Sequence, residues 1–385
     1  MKIKRRGGIY VHVPVCRRKC LYCSFFSVGE RLLQDWSGFV DAVLKEFHDR
    51  SQEIIDWSEV TIYIGGGTPS LMPTAEFSRL MSGLTGILHE LNPAVIIGEV
   101  TMEVNPDDVT AVRAQQWSEA GVNRVSMGVQ TLVDKELKSI GRRHDAATAR
   151  EAYGILRGYF DNVSLDLMFG LPYQTLESLR ETLDGFLEMR PEHISAYSLM
   201  YEERSALTRM RDTGKLEETD EDISVSMFKE IGVRLREAGY DRYEISNYSL
   251  PGYESKHNSS YWEGIPYIGL GPSAHSYDGG CVRRWNVADI AEYLKGVATG
   301  KDYYYEKEHL DRQELIEERI MTGLRKASGI DLFRFEEDFG SHEYKRLRDN
   351  AEKGLAAGWL EIKDDGLRLT EKGVMISDEI IVELF

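Results

Sequence analysis

Cysteine is scarce in this chain, with four residues in 385. So few cannot staple a disulfide scaffold, and the length does not suit a small secreted domain. Long apolar runs are missing too. Nowhere do about eighteen apolar residues follow one another, so no membrane-spanning helix is expected. The apolar stretch 7–15 (GGIYVHVPV) is short, is interrupted by His12 and Pro14, and runs straight into cysteine, so it is not expected to be a signal peptide. Positive charge is in deficit. Lys and Arg total 47 against 64 Asp and Glu, a net −17, which argues against a nucleic-acid partner. The deficit is uneven. Residues 1–29 hold Lys2, Lys4, Arg5, Arg6, Arg17, Arg18 and Lys19 and no acid, so −17 divides into +7 there and −24 elsewhere. A soluble cytoplasmic protein is the expectation. With 42% hydrophobic residues the chain can bury a sizeable core, as two domains or as one barrel-sized domain with an appendage.

What is present is an alternation. Short β-rich runs at 9–13, 60–64, 95–104, 123–127, 163–168 and 193–199 are separated by amphipathic stretches, among them 73–91 and 176–189. Units of about 30–40 residues predict six βα crossovers around a parallel sheet. Six units suit an open doubly wound sheet or part of a barrel, and spacing does not choose between them. After residue 199 the pattern changes. Residues 201–240 read as charged helix, whereas 241–287 are dense in Tyr, Gly, Ser, Asn and His with little periodicity. From Leu310 helical patterning returns, and two short runs at 359–362 and 366–369 complete a compact, winged-helix-like module. Its acidic end makes DNA an unexpected partner. The expected division is 1–240, a connecting segment 241–306, and a helical module 307–385.

Three of the four cysteines, Cys16, Cys20 and Cys23, fall in CRRKCLYCSF. Three thiols on one loop are soft ligands that select iron–sulfur, zinc or copper(I). Structural zinc normally takes four protein ligands, whereas a [4Fe–4S] cube on three cysteines keeps one iron open. His12 is the donor that a Cys₃His zinc site would need. The second strand runs into IGGGTPS, where Gly65, Gly66 and Gly67 let backbone groups approach a ligand; a ligand-free strand–helix turn is the alternative. No P-loop lysine follows. Glu103, Gln130 and Asp166 then stand in or just past successive strands, with Arg142 in IGRRH. Carboxylates and amides there suit ribose hydroxyls, and arginine suits a carboxylate.

The C-x₃-C-x₂-C spacing, with an aromatic directly before the third cysteine, resembles the radical S-adenosylmethionine (SAM) superfamily. That resemblance implies an α/β fold built on a partial (β/α)₆ barrel. It implies a [4Fe–4S] cluster on Cys16, Cys20 and Cys23, with SAM at the open iron. Gly65, Gly66, Gly67 and Thr68 would meet the SAM amino group, Glu103, Gln130, Arg142 and Asp166 would help hold SAM, and Tyr10 and Phe25 would sit beside the cluster. More narrowly, IYVHVPVCRRKCLYCSF, GGGTPS, EVNP, GVNRVSMGVQT and DLMFGLP are similar to the oxygen-independent coproporphyrinogen III oxidase branch, over roughly residues 8–370.

Two departures narrow the resemblance further. The oxidase has a fourth cysteine where this chain has Phe25, and a longer N-terminal extension where fifteen residues precede Cys16. Both features match the HemW-type haem chaperones of that branch. The resemblance then implies a protein that binds haem and passes it to haem-dependent, membrane-associated apoproteins, with no coproporphyrinogen oxidase activity expected. The oxidase, or another radical SAM enzyme, is the alternative. A reductant protein and a second copy of the chain are the further partners implied. The motif HNSSYW (257–262) would bind the haem: His257 offers an imidazole to iron, and Tyr261 and Trp262 offer flat apolar surface. A loop anchored by aromatics, with His257 only hydrogen-bonding, is the plainer account. His275 is a second candidate ligand. Arg283 and Arg284 suit haem propionates or are a plain basic pair, and Cys281 is expected to stand apart.

Overall fold

The computed structural model describes residues 5–203, 205–301 and 304–385, so Lys2 and Lys4 of the basic segment lie outside the described residues. Six parallel strands form its centre: β1 (Arg5–Val13), β2 (Trp57–Gly66), β3 (Ile96–Val104), β4 (Arg124–Gln130), β5 (Val163–Phe169) and β6 (His193–Ser198). They are hydrogen-bonded side by side in chain order. Helices α1 (Trp36–Asp49), α2 (Thr74–Leu91), α3 (Ala111–Glu119), α4 (Asp134–Ser139), α5 (Ala146–Leu156) and α6 (Leu176–Met189) make the crossovers. Side chains of Asp35, Thr110, Asp145 and Thr175 accept backbone N–H groups at the starts of α1, α3, α5 and α6, satisfying donors that a helix leaves open.

Successive strand residues point to opposite faces. One set, including Ile9, Val11, Val60, Ile62, Val125 and Leu165, is fully buried and packs with the helices in the main core. The other set is mostly polar: Tyr10, His12, Thr61, Tyr63, Glu103, Ser126, Asp166 and Ser195. Register puts Tyr10 beside Tyr63, Glu103 beside Ser126, and Asp166 beside Ser195. A parallel sheet covered on both sides reads as nearly continuous apolar residues. This one alternates, so its inner face is mostly polar rather than a second apolar core.

The aperiodic stretch after α7 (Ala206–Asp212) and α8 (Glu221–Glu237) extends both edges of the sheet. β7 (Asn247–Ser249) pairs antiparallel with β6, and the two-residue strand Asp241–Arg242 pairs beyond it. After α9 (Lys256–Trp262), β8 (Tyr267–Leu270) pairs parallel with the outer side of β1. β9 (His275–Tyr277), β10 (Val282–Asn286) and β11 (Tyr305–His309) follow antiparallel, with α10 (Ile290–Thr299) between the last two. The result is a twelve-stranded open sheet, in which the six central units do not close into a barrel among the described residues. These flanking strands run for two to five residues, too short to leave a readable period.

Buried Glu46 of α1 fastens this flank. It accepts from the Asn286 side chain at 2.9 Å, the Tyr293 hydroxyl at 2.8 Å and the Gly271 N–H at 3.1 Å, with Arg50 at 3.4 Å. The C-terminal module has its own core around Ile316, Ile320, Phe335, Leu347 and Ile380. It comprises α11 (Arg312–Arg325), α12 (Leu332–Ala356, kinked at Gly340), a small three-stranded sheet, α13 (Glu371–Val374) and α14 (Ser377–Leu384). Among the described residues no helix is long and apolar enough to cross a membrane.

Glu46→Ala leaves the Tyr293 hydroxyl and the Gly271 N–H without an acceptor in a buried setting, while Arg50 keeps Glu53, the Gly269 carbonyl and Ser276. It should cost about 1–3 kcal/mol of stability, read as a lowered melting temperature, with Glu46→Gln losing less. An unchanged melting temperature for the alanine variant would show that the flank is held by other means.

Candidate cofactor site and adjoining cavity

The loop after β1 carries Cys16, Cys20 and Cys23, all half-buried and unbridged. A short parallel ladder, Val15–Cys16 on Val28–Gly29, closes its base. Its middle is pinned from two sides, by the Leu21 N–H to the Ile140 carbonyl at 3.1 Å and the Leu207 N–H to the Leu21 carbonyl at 2.8 Å. Donors reach two of the sulfurs. The Thr68 hydroxyl lies 3.5 Å from Cys16 Sγ, and Arg142 Nη1 lies 3.5 Å from Cys20 Sγ. Hydrogen bonds of this kind commonly orient sulfur ligands around a metal centre. Burial pushes the metal-free Cys23 thiol up, the Phe25 backbone N–H opposes that, and the neighbouring Cys20 sulfur adds to it.

The zinc alternative fares poorly. Both ring nitrogens of His12 are committed elsewhere, Nδ1 to the Tyr10 hydroxyl at 3.0 Å and Nε2 to the Phe26 carbonyl at 2.8 Å. Three thiols without a fourth protein donor fit an iron–sulfur cluster with one open iron.

The glycine turn has a structural cause of its own. A Cβ on Gly67 would lie 2.6–2.8 Å from backbone atoms of Val13 and Val15, and one on Gly66 (φ 105°) would strike the His12 ring at 2.5 Å. Gly65 similarly packs on Tyr63 and Glu103. These glycines let the ends of β1 and β2 close on each other, so no ligand is required to explain them.

Beyond the turn, Glu103 accepts from the Tyr63 hydroxyl at 2.8 Å and the Gly66 N–H at 3.1 Å. Burial pushes its carboxyl up to about 7, the charge of Asp166 adding to the effect. Asp166 accepts from Ser126 at 3.1 Å, and burial raises it to about 6. Gln130 occupies the left-handed region (φ 72°) at a bulge between β4 and β5, a strained backbone of the kind that collects at functional sites. Arg142 binds Asn105 Oδ1 at 2.8 Å and the Gly128 carbonyl, while its Nε is buried without a partner. An unpartnered donor at this point fits an anionic group such as the SAM carboxylate.

The HNSSYW segment is α9, and buried Glu99 holds its start by accepting from the N–H groups of Lys256 and His257, each at 2.9 Å. His257 is 1% exposed. Its Nδ1 meets Thr61 Oγ1 at 2.8 Å and its Nε2 meets the Tyr261 hydroxyl at 2.9 Å. Burial lowers it to about 3, so it stays neutral. Neither nitrogen is offered to iron in this arrangement.

Tyr261 and Trp262 instead line a cavity of about 980 Å³, walled further by Phe25, Phe26, Tyr267 and His275 and covered by α11 and α12. Such a volume sits at the upper end of the range for cofactor-sized ligands. Tyr10 and Phe25 also border it, so it opens beside the cysteine loop; Phe25 is 66% exposed. Arg283 lines it but is clamped by both oxygens of Glu318, at 2.7 Å each. Arg284 does not line it. It is buried over the Tyr305 ring at 3.6 Å, near Glu46, and so fails the expected propionate role.

Comparison with known proteins agrees with this geometry. The radical SAM superfamily profile matches residues 10–185, and the HemN C-terminal domain profile matches 310–376. The chain is 33% identical over 378 residues to the heme chaperone HemW of Bacillus subtilis, covering 96% of this chain and 97% of that protein. It is 32% identical to the heme chaperone HemW of Lactococcus lactis, covering 98% and 97%. The chain belongs to the HemW family of radical SAM proteins. Its fold is that of coproporphyrinogen III oxidase (HemN) from Escherichia coli, with a TM-score of 0.83 at 21% identity, covering 99% of this chain and 90% of that one.

In this HemW-family chain, sequence reasoning missed Asn105, Arg124 and Glu99. Arg124 is 1% exposed on the inner face of β4, where its charge acts on both Glu103 and Asp166. A charged residue at an inward position of a central strand is the signal that could have found it.

The raised carboxyls give a pH prediction. The folded state holds the Glu103 proton more tightly than the unfolded chain, so its contribution to stability is full below about 4.5 and is lost as pH rises through about 7. Melting temperatures of cofactor-free protein should therefore fall relative to Glu103→Gln between pH 5 and 7 and run parallel above pH 8. A constant offset across that window would rule out the raised carboxyl. Separately, Gly67→Ala should lower the melting temperature and iron content together, because its Cβ meets backbone that cannot yield.

Proposed function

We propose that the protein is a haem chaperone that holds haem in the cavity beside its cysteine loop and passes it to an apoprotein acceptor. The observation that carries this is the cavity: cofactor-sized, rich in aromatic side chains, and opening where this chain has Phe25 instead of a further cysteine. The name heme chaperone, borne by relatives matched over nearly the whole chain, points the same way. In this reading residues 1–240 hold the cofactors, 241–306 supply the cavity wall, and 307–385 cover it. Partners would be the acceptor, membrane-associated or not, a reductant protein and a second copy of the chain, in the cytoplasm.

Cys16, Cys20 and Cys23 would hold a [4Fe–4S] cluster, with Thr68 and Arg142 stabilising the sulfur charge. Arg142 would pair with the SAM carboxylate, Gln130 and Asp166 would orient the nucleoside, and Glu103 would fix the glycine turn through Gly66. The cluster, when bound, supplies one electron to SAM. For haem, Tyr261, Trp262 and Tyr267 would exclude water from the porphyrin faces.

Ferric haem titrated into the anaerobically purified protein should give a saturable Soret band at one haem per chain. Incubation with coproporphyrinogen III, SAM and dithionite should leave the tetrapyrrole unchanged. Decarboxylated product would overturn the chaperone reading in favour of the oxidase. Iron and sulfide should approach about four each per chain and drop sharply in Cys20→Ala; bound zinc would refute the cluster.

A further inference from the structure

Resting on the haem reading above, we infer that the iron is ligated by His275 of β9, with the porphyrin's propionates directed to Arg319 and Arg334 on the cover. HNSSYW would then shape the wall without supplying the ligand.

The argument starts from what an iron ligand needs: a neutral imidazole nitrogen with its lone pair free, and open space in front of it. His257 fails on both counts, being buried with each nitrogen hydrogen-bonded. To reach iron, one of its nitrogens would have to give up its hydroxyl partner, Tyr261 or Thr61, in a setting with no open space in front of it, which is costly. His12 is likewise tied at both nitrogens. His275 meets the requirement. It is exposed and lines the cavity, and neither ring nitrogen hydrogen-bonds to another described residue. Its ring stacks on Trp285, with centroids 5.9 Å apart and planes 24° apart, and the two residues are direct partners in the β9–β10 pairing. The Trp285 ring thus packs against the imidazole of a residue that lines the cavity. Partial desolvation at the cavity wall and the charge of Arg283 also lower its pKa, which favours the neutral imidazole.

The walls on either side suit a flat apolar ring. Tyr267 and Tyr277 stand on the sheet side, and Phe25 and Phe26 stand on the cysteine-loop side. Charge then sets which edge faces the cover. Arg283 is neutralised by Glu318. Arg319 and Arg334 share a single carboxylate, Asp338, at 2.9 and 3.8 Å. That part of the lining therefore has two guanidiniums for one acid, a net +1 that suits a carboxylate.

The test titrates ferric haem into full-length protein and its variants, reading affinity, the Soret band and the electron paramagnetic resonance signature of the iron. Equal iron–sulfide content shows that each variant is folded. His275→Ala should weaken binding by about tenfold or more and change the iron signature, and added imidazole should restore that signature. Arg334→Glu should weaken binding while keeping the wild-type iron signature. Unchanged affinity and signature in His275→Ala, or loss of the imidazole signature in His257→Ala alone, would overturn the assignment and leave the chaperone reading standing. Absence of haem binding by the wild-type protein would remove the chaperone reading itself.

Discussion

A parallel sheet clad in helices on one side must do something with its other side. Here the alternation along β1 to β6 sends Val, Ile and Leu toward the helices and polar side chains inward. Burying the apolar set drives the sheet together, and strict period-two geometry then forces Tyr10, Tyr63, Glu103 and Asp166 onto one shared face. These candidate site residues need no separate positioning device. They are where they are because their neighbours are apolar, and a one-residue slip in register would exchange the two sets.

That inner face carries uncomfortable charge. Arg124, Glu103 and Asp166 interact within a low-dielectric space, and both carboxyls are raised by burial. Groups that gain little from the protein alone are poised to gain from a polar ligand. The same logic separates the histidines. His12 and His257 are consumed by protein partners and serve as struts, while His275 keeps its nitrogens. A residue's type advertises a chemistry, but its hydrogen bonds decide whether that chemistry is available.

Much of this was legible in the chain. The six βα units, the cysteine loop and the polar residues at strand ends follow from periodicity and composition, which are local properties. The placement of β7 to β11 was not, because strands such as Asn247–Ser249 are shorter than any period they could display. Nor was the burial of His257, which depends on Thr61, 196 residues away, and on Glu99 at the start of α9. The covering of the cavity by α11 and α12 is equally non-local. Sequence reasoning singled out the HNSSYW segment and could not see which way its imidazole faced.

β1 draws its two hydrogen-bonding neighbours from distant parts of the chain, β2 at 57–66 and β8 at 267–270. During synthesis the first neighbour arrives early and the second only after most of the chain has emerged. Through that interval β1 presents a bare, strongly apolar edge, just before the cysteine loop. Such long-range closure is slow and leaves an aggregation-prone intermediate. Chains cut short before residue 270 would keep that edge for good. The cysteine loop is thus made early, while the strand that leads into it gains its second neighbour only late.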